Sequence, residues 1–141
     1  MKILLAVDGS PYTTKAVRYI TAHLNWFQGN PELHLLHVKA PIPLGHARAA
    51  VGREAVEAYY KDEATAVLAP AEQMLRESGV PYQSAYKVGD VAEEIKAYCE
   101  KHNMDMIVMG SHGHGALTNL VMGSVTTKVL AITSVPVLIV R

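Results

Sequence analysis

Cysteine is nearly missing from this chain, since Cys99 is the only one among 141 residues. A single thiol excludes an internal disulfide. Its position among Val91, Ile95 and Tyr98 at helical spacing reads as a packed thiol rather than a redox centre. An excess of either charge is missing too: thirteen Lys and Arg cancel thirteen Asp and Glu. No general electrostatic pull therefore favours nucleic acid or an anionic membrane as a partner. Long apolar runs are also absent. The opening run Ile3 to Val7 stops at Asp8, too short for a signal-peptide core, and no later run approaches membrane-spanning length. The expectation is a cytoplasmic protein. With no internal repeat or long polar linker, and with half its residues apolar, the chain is expected to fold residues 1–141 as one domain around one substantial core.

What is present centres on Met106 to Val129, MIVMGSHGHGALTNLVMGSVTTKV. Four apolar residues suit a buried parallel strand, which breaks at Gly110 into a loop carrying Gly113 and Gly115. Gly123 and Ser124 precede a helical pattern, with Ser124 read as the cap and Val125, Val129 and Ile132 as the inner face. Outward-pointing amides at such a helix start favour an anion, most often phosphate. A glycine-rich connector with no ligand is the plainer alternative. No Lys follows the glycines as a P-loop requires, and the Rossmann GxGxxG is absent. Charge on a bound polyphosphate would then be met by amides, hydroxyls and a metal ion.

The remainder alternates strand and helix. Ile3 to Val7 reads as a central strand ended by Asp8, Gly9 and Ser10. Ser10 and Pro11 start a helix whose apolar face, Thr13 to Phe27, extends until Gly29. Leu33 to Val38 is a strand whose His34 and His37 face opposite ways, each expected as a hydrogen-bonded histidine at the sheet boundary. Ala40 to Gly52 has no clear period and reads as a long loop, from which His46, Arg48 or the following Arg53 can reach toward a phosphate or toward solvent. Glu54 to Ser78 is helical, with Pro70 expected to kink or split it. Tyr82 to Val88 reads as an edge strand, Asp90 as the cap of a helix running to about His102, and Val137 to Val140 as a last strand. Mostly apolar strands alternating with helices argue for a parallel sheet covered on both faces.

The spacing of Gly110, Gly113, Gly123 and Ser124, with Val125 after it, resembles the nucleotide-binding loop of the universal stress protein family. The likeness runs along the entire chain. It implies a single-domain, Rossmann-like α/β fold with five parallel strands in the order 3-2-1-4-5. The first and fourth strands then lie side by side, and their diverging loops open a crevice at a topological switch point. The resemblance also implies an ATP-, ADP- or AMP-binding regulatory protein of the stress response, with Mg2+ or Mn2+ and at most slow hydrolysis. Its binding residues carry over to Ala6, Val7 and Asp8, to Val38 as an adenine contact through its backbone, and to Met109, Gly110, His112, Gly113, Gly123, Ser124 and Val125 around ribose and phosphates.

Asp8 is expected to accept from ribose hydroxyls or to hold the cation through water, against a plain turn role before Gly9. His112 reads as a phosphate neighbour and His114 as solvent-facing, because two histidines without further ligands make a poor transition-metal site. Lys128 either adds positive charge or projects into solvent. No catalytic residue can be named, since the chain offers no loop Lys, arginine finger or dedicated base. Two other readings remain open: an ATP-dependent enzyme whose Ala40 to Gly52 loop delivers a second substrate, and a module acting by protein contact alone. Finally, the apolar border strand Val137 to Val140 is expected to pair antiparallel with its copy in a homodimer.

Overall fold

The computed structural model describes residues 1–43, 52–115 and 121–141. Among these residues, strands β1 (Lys2–Ala6), β2 (Glu32–Lys39), β3 (Tyr82–Val88), β4 (Met106–Gly110) and β5 (Val137–Val140) alternate with four helices. These are α1 (Pro11–Ala22), α2 (Arg53–Glu77), α3 (Val91–His102) and α4 (Ser124–Ile132). The sheet has the order β3-β2-β1-β4-β5 with every pairing parallel, the expected arrangement. Central β1 is registered so that Ala6 lies beside Leu36 and Leu5 lies beside both Leu35 and Val108.

Strand periodicity divides the core into two layers. Ile3, Leu5, Leu33 and Leu35 face α1 and α2, where Val17, Ile20, Leu68 and Leu75 meet them. Leu4, Leu36, Ile107 and Met109 face the other way, against Ile95 and Cys99 of α3 and Val129 of α4. Burying each such side chain contributes roughly 1.5–3 kcal/mol. A one-residue slip of β1 would exchange its partners on both faces, so these contacts hold the register as well as the fold. The edge strands are thinner. β3 is mostly exposed and β5 is half-buried along its length.

Several local expectations are corrected. α1 ends at Ala22, and a short 3-10 turn, Leu24–Trp26, brings Leu24 and Phe27 onto the core by a different path. His23 closes the helix by bonding through Nδ1 to the Tyr19 carbonyl, 2.7 Å away. Pro70 does not split α2. It lies on the exposed side, where water can satisfy the carbonyl that its missing N–H leaves free. In α4 the N-cap is Gly123 rather than Ser124, and the inward face holds Thr126 and Val129 while Val125 is exposed. Thr126 is drawn inward because its hydroxyl donates to the Gly110 carbonyl at 3.1 Å.

His34 and His37 do face opposite ways, but both are buried within the sheet instead of at its boundary. Glu32 accepts from His34 Nε2 at 2.8 Å, which leaves His34 Nδ1 to accept from the Tyr98 hydroxyl at 2.9 Å. His37 Nδ1 donates to the Val7 carbonyl at 2.8 Å. Cys99 is buried, as its spacing implied, and burial pushes its thiol up to about 11.

Candidate functional site

The chain leaves β1 toward β2 and leaves β4 toward β5, so the loops after these neighbouring strands diverge. Open α/β sheets bind ligands in that opening. A cavity of about 400 Å3 lies there, within the size range of small-ligand sites. One half of its wall is apolar, from Leu36 and Val38 on β2, Met109 on β4, and Val91 and Ile95 on α3. The other half is the two diverging loops and the start of α4. Asp8 and Thr13 stand on the β1 side, with His112, Gly113, Gly123 and Ser124 opposite.

The binding residues that the family resemblance implies all come together on this wall: Ala6, Val7, Asp8, Val38, Met109 and Gly110 among them, and Val125 on the exposed side of α4. Their roles toward a ligand are taken up below. Sequence reading missed Thr13, Thr126 and His114, and the apolar Leu36, Val91 and Ile95. Helical and strand periodicity had assigned most of these to core or surface. They reach one opening from β2, α1, α3, α4 and the loop after β4, which the fold brings together.

Asp8 fills two places at once. Its Oδ1 accepts from the Ser10 amide at 2.9 Å and the Thr13 hydroxyl at 2.7 Å, while the Asp8 amide donates back to Thr13 Oγ1 at 3.1 Å. These bonds make the turn before α1. Oδ2 lies beside Gly113, 2.6 Å from where a β-carbon on that residue would stand. Burial acts to raise the Asp8 pKa, but the Ser10 and Thr13 hydrogen bonds, helped by His114, outweigh it and hold the carboxyl below its usual range. Asp8 is therefore an anion at neutral pH, with one oxygen fixed and the other turned to the cavity.

The glycine loop is held at both ends. The Gly123 amide donates to the Ser111 carbonyl at 2.8 Å, and the Ser111 amide donates to the Val140 carbonyl at 2.8 Å. Gly123 has no side chain to occupy the first amides of α4, so that helix start presents bare donors to the cavity. The Ser10 side chain accepts from the Thr13 amide, so the start of α1 is capped from within.

The glycines have steric reasons beyond ligand approach. A β-carbon on Gly110 would stand 2.5 Å from Tyr12 Cβ, one on Gly113 would stand 2.6 Å from Asp8 Oδ2, and one on Gly123 would stand 3.2 Å from His112 Cα. None of these three has positive φ.

His112 lines the cavity, pairs through Nδ1 with Ser111 Oγ at 2.9 Å and packs beside Tyr12 with ring centroids 5.2 Å apart. His114 is exposed but anchored, since its Nε2 donates to the Asp8 carbonyl at 2.8 Å. That bond ties the two diverging loops together. Lys128 takes neither expected course. Its ammonium lies 2.9 Å from both carboxylate oxygens of Asp90, the N-cap of α3. Each partner moves the other, raising the Lys128 pKa and lowering that of Asp90.

Arg53 begins α2, pairs with Glu57 and is not part of the cavity wall. His46 and Arg48 lie outside the described residues. Among the described residues, no group of three or more His, Cys, Asp or Glu is placed to hold a metal ion, and no helix is long and apolar enough to cross a membrane.

Comparison with known proteins agrees with this geometry. The universal stress protein family model matches residues 1–141. Universal stress protein YxiE of Bacillus subtilis is 32% identical, with 99% of this chain and 98% of that protein covered. A shorter match, 40% identical over 79 residues, takes in 56% of this chain but only 28% of universal stress protein Slr1230 of Synechocystis. Among solved structures, Methanocaldococcus jannaschii MJ0577 superposes with a TM-score of 0.81 at 28% identity, covering 99% of this chain and 94% of that one. A family protein from Arabidopsis thaliana, solved with AMP bound, shares the fold with a TM-score of 0.68 at 18% identity, covering 99% and 90%. The chain belongs to the universal stress protein family.

Proposed function

We propose that this chain binds an adenine nucleotide at the β1/β4 switch point and acts as a regulatory protein of the stress response, with at most slow hydrolysis. The observation that carries the reading is the pairing of an uncapped α4 start at Gly123 with an apolar slot at Leu36, Val38 and Ile95 in one cavity. A flat base suits the slot, and a phosphate suits the bare amides. Val38 supplies the adenine contact, Asp8 lies within reach of the ribose, and Gly113, Gly123 and Ser124 border the phosphates. AMP in the Arabidopsis relative supports this choice of ligand at the level of the fold.

The wall also fits Mg2+ or Mn2+ carried in with a nucleotide better than a resident metal. Among the described residues Asp8 is its one carboxylate, and such ions bind through one or two carboxylates, waters and substrate phosphates. Bound in that way, the ion would offset phosphate charge, with Asp8 Oδ2 holding one of its waters. Slow hydrolysis follows from the same wall, which among the described residues brings no Lys or Arg to a transferring phosphoryl group.

The reading extends to a homodimer through β5, whose outer edge is unpaired in the single chain.

Mass spectrometry of material released from freshly purified, denatured protein tests the ligand, followed by calorimetry with ATP, ADP and AMP. An adenine nucleotide at near-stoichiometric yield, or micromolar binding of one of the three, is the expected result. No binding of any of them to the folded chain would overturn it.

A further inference from the structure

Lys128 is held just outside the cavity by a contact that a ligand can compete for. Its α-carbon lies one turn into α4, beyond Ser124, yet its ammonium reaches Asp90 at the first turn of α3. Side chains on a helix lean toward its N-terminus, so the long Lys128 chain already extends to the sheet edge where the cavity opens. The neighbours of the pair form the cavity wall: Val91 follows Asp90, and Ser124 and Val125 precede Lys128 by one turn. Among the described residues, no Lys or Arg lines that wall, and its one carboxylate, Asp8, is fixed as an anion. Both members of the Asp90–Lys128 pair are about half exposed, so solvent screens their attraction and the contact is easily exchanged.

We propose that Lys128 is a specificity-determining residue that leaves Asp90 to meet the outer phosphates of a polyphosphate nucleotide, so that Asp90 competes directly with the ligand. This rests on the nucleotide reading above. A terminal phosphate carries more charge than a carboxylate and accepts from an ammonium at least as well, so the exchange favours ligands with outer phosphates over those without. Adenosine, lacking phosphate, gains nothing from it. The pair thus sets a threshold: Asp90 lowers affinity for ATP by occupying Lys128, and Lys128 raises it once released.

The test is calorimetric binding of ATP and of adenosine to wild type, Asp90→Asn and Lys128→Met, in EDTA at two ionic strengths. Asn keeps the α3 cap while removing the charge, so loss of the helix start does not confuse the result. Asp90→Asn is expected to tighten ATP about threefold or more and to leave adenosine within about twofold. Lys128→Met should weaken ATP several times more than adenosine, and the difference should shrink at high salt. If wild type binds both ligands but Asp90→Asn leaves ATP unchanged or weakened, or Lys128→Met weakens both equally, the proposal is overturned while the nucleotide reading stands. If wild type binds neither ligand, both fall together.

Discussion

Asp8 and Gly113 face each other across the cavity so closely that a β-carbon on Gly113 would lie 2.6 Å from Asp8 Oδ2. A methyl group at that point must push the carboxylate aside, and its Oδ1 bonds to Ser10 and Thr13 resist the movement. Gly113→Ala is therefore expected to keep the fold and weaken adenine-nucleotide binding about tenfold, near 1.4 kcal/mol. Calorimetry alongside thermal unfolding checks this, and unchanged affinity in the folded variant would count against it.

Gly110 belongs to the fold more than to the ligand. Its missing β-carbon makes room for Tyr12 Cβ at 2.5 Å and the Tyr12 carbonyl carbon at 3.0 Å, where α1 crosses β4. Backbone cannot rotate out of the way as a side-chain end can. Gly110→Ala should cost about 1–3 kcal/mol of stability by overpacking, measured as a lower midpoint in urea.

Asp8→Asn tests the turn and the ligand role together. Because hydrogen bonds hold the Asp8 pKa below its usual 3.8, its stabilising contribution is present above that value and is lost as pH falls through the lower, folded value. The stability gap between wild type and Asp8→Asn should be widest near neutrality and should close below pH 3.8. Denaturant unfolding across pH 2.5 to 7 measures it, and a gap independent of pH would remove the charge from the account. Nucleotide affinity of the same variant should fall more with Mg2+ than in EDTA.

Cys99 should be inert while the chain is folded. It is 1% exposed, and burial raises its thiol to about 11, so thiolate is scarce at pH 8. A thiol-reactive chromophore is expected to label it only upon unfolding, at a rate that follows denaturant. Rapid labelling of native protein would mean that α3 opens easily.

The proposed dimer is best probed at an outward-facing position of β5. The Pro136 and Val140 carbonyls accept from Ile107 and Ser111, so even-numbered residues of this segment point their backbone groups toward β4. Leu138 belongs to that set, whereas Val137 and Ile139 point outward. Ile139→Pro removes an outward donor at an edge position where proline is tolerated, and should convert a homodimer to monomer with the fold retained. Light scattering at micromolar concentration reads the result. Monomeric wild type would defeat the dimer, and a dimeric Ile139→Pro would move it away from β5.

The sequence alone determined the order of elements and where most begin. Apolar runs such as Ile3 to Val7 admit little but buried strands, and Ser10 with Pro11, and Asp90, carry their own capping chemistry. Glycine spacing was equally legible, because it is a property of the chain that needs no partner. Through the family resemblance that this spacing carries, the candidate residues from Ala6 to Val125 could be named, and all of them line one cavity.

The tertiary structure decided what those residues touch. Gly110 answers to Tyr12, Gly113 to Asp8, Lys128 to Asp90, and His114 to the Asp8 carbonyl, all across sequence separations that no local pattern spans. Thr126 shows why. Apolar periodicity put Val125 on the inner face, but a hydrogen bond to the Gly110 carbonyl turns α4 so that the threonine is buried and the valine faces the opening. Local propensity fixes a helix and its ends. Its rotation about its own axis is set by the contacts it finds on the sheet, and that rotation decides which side chains line the cavity.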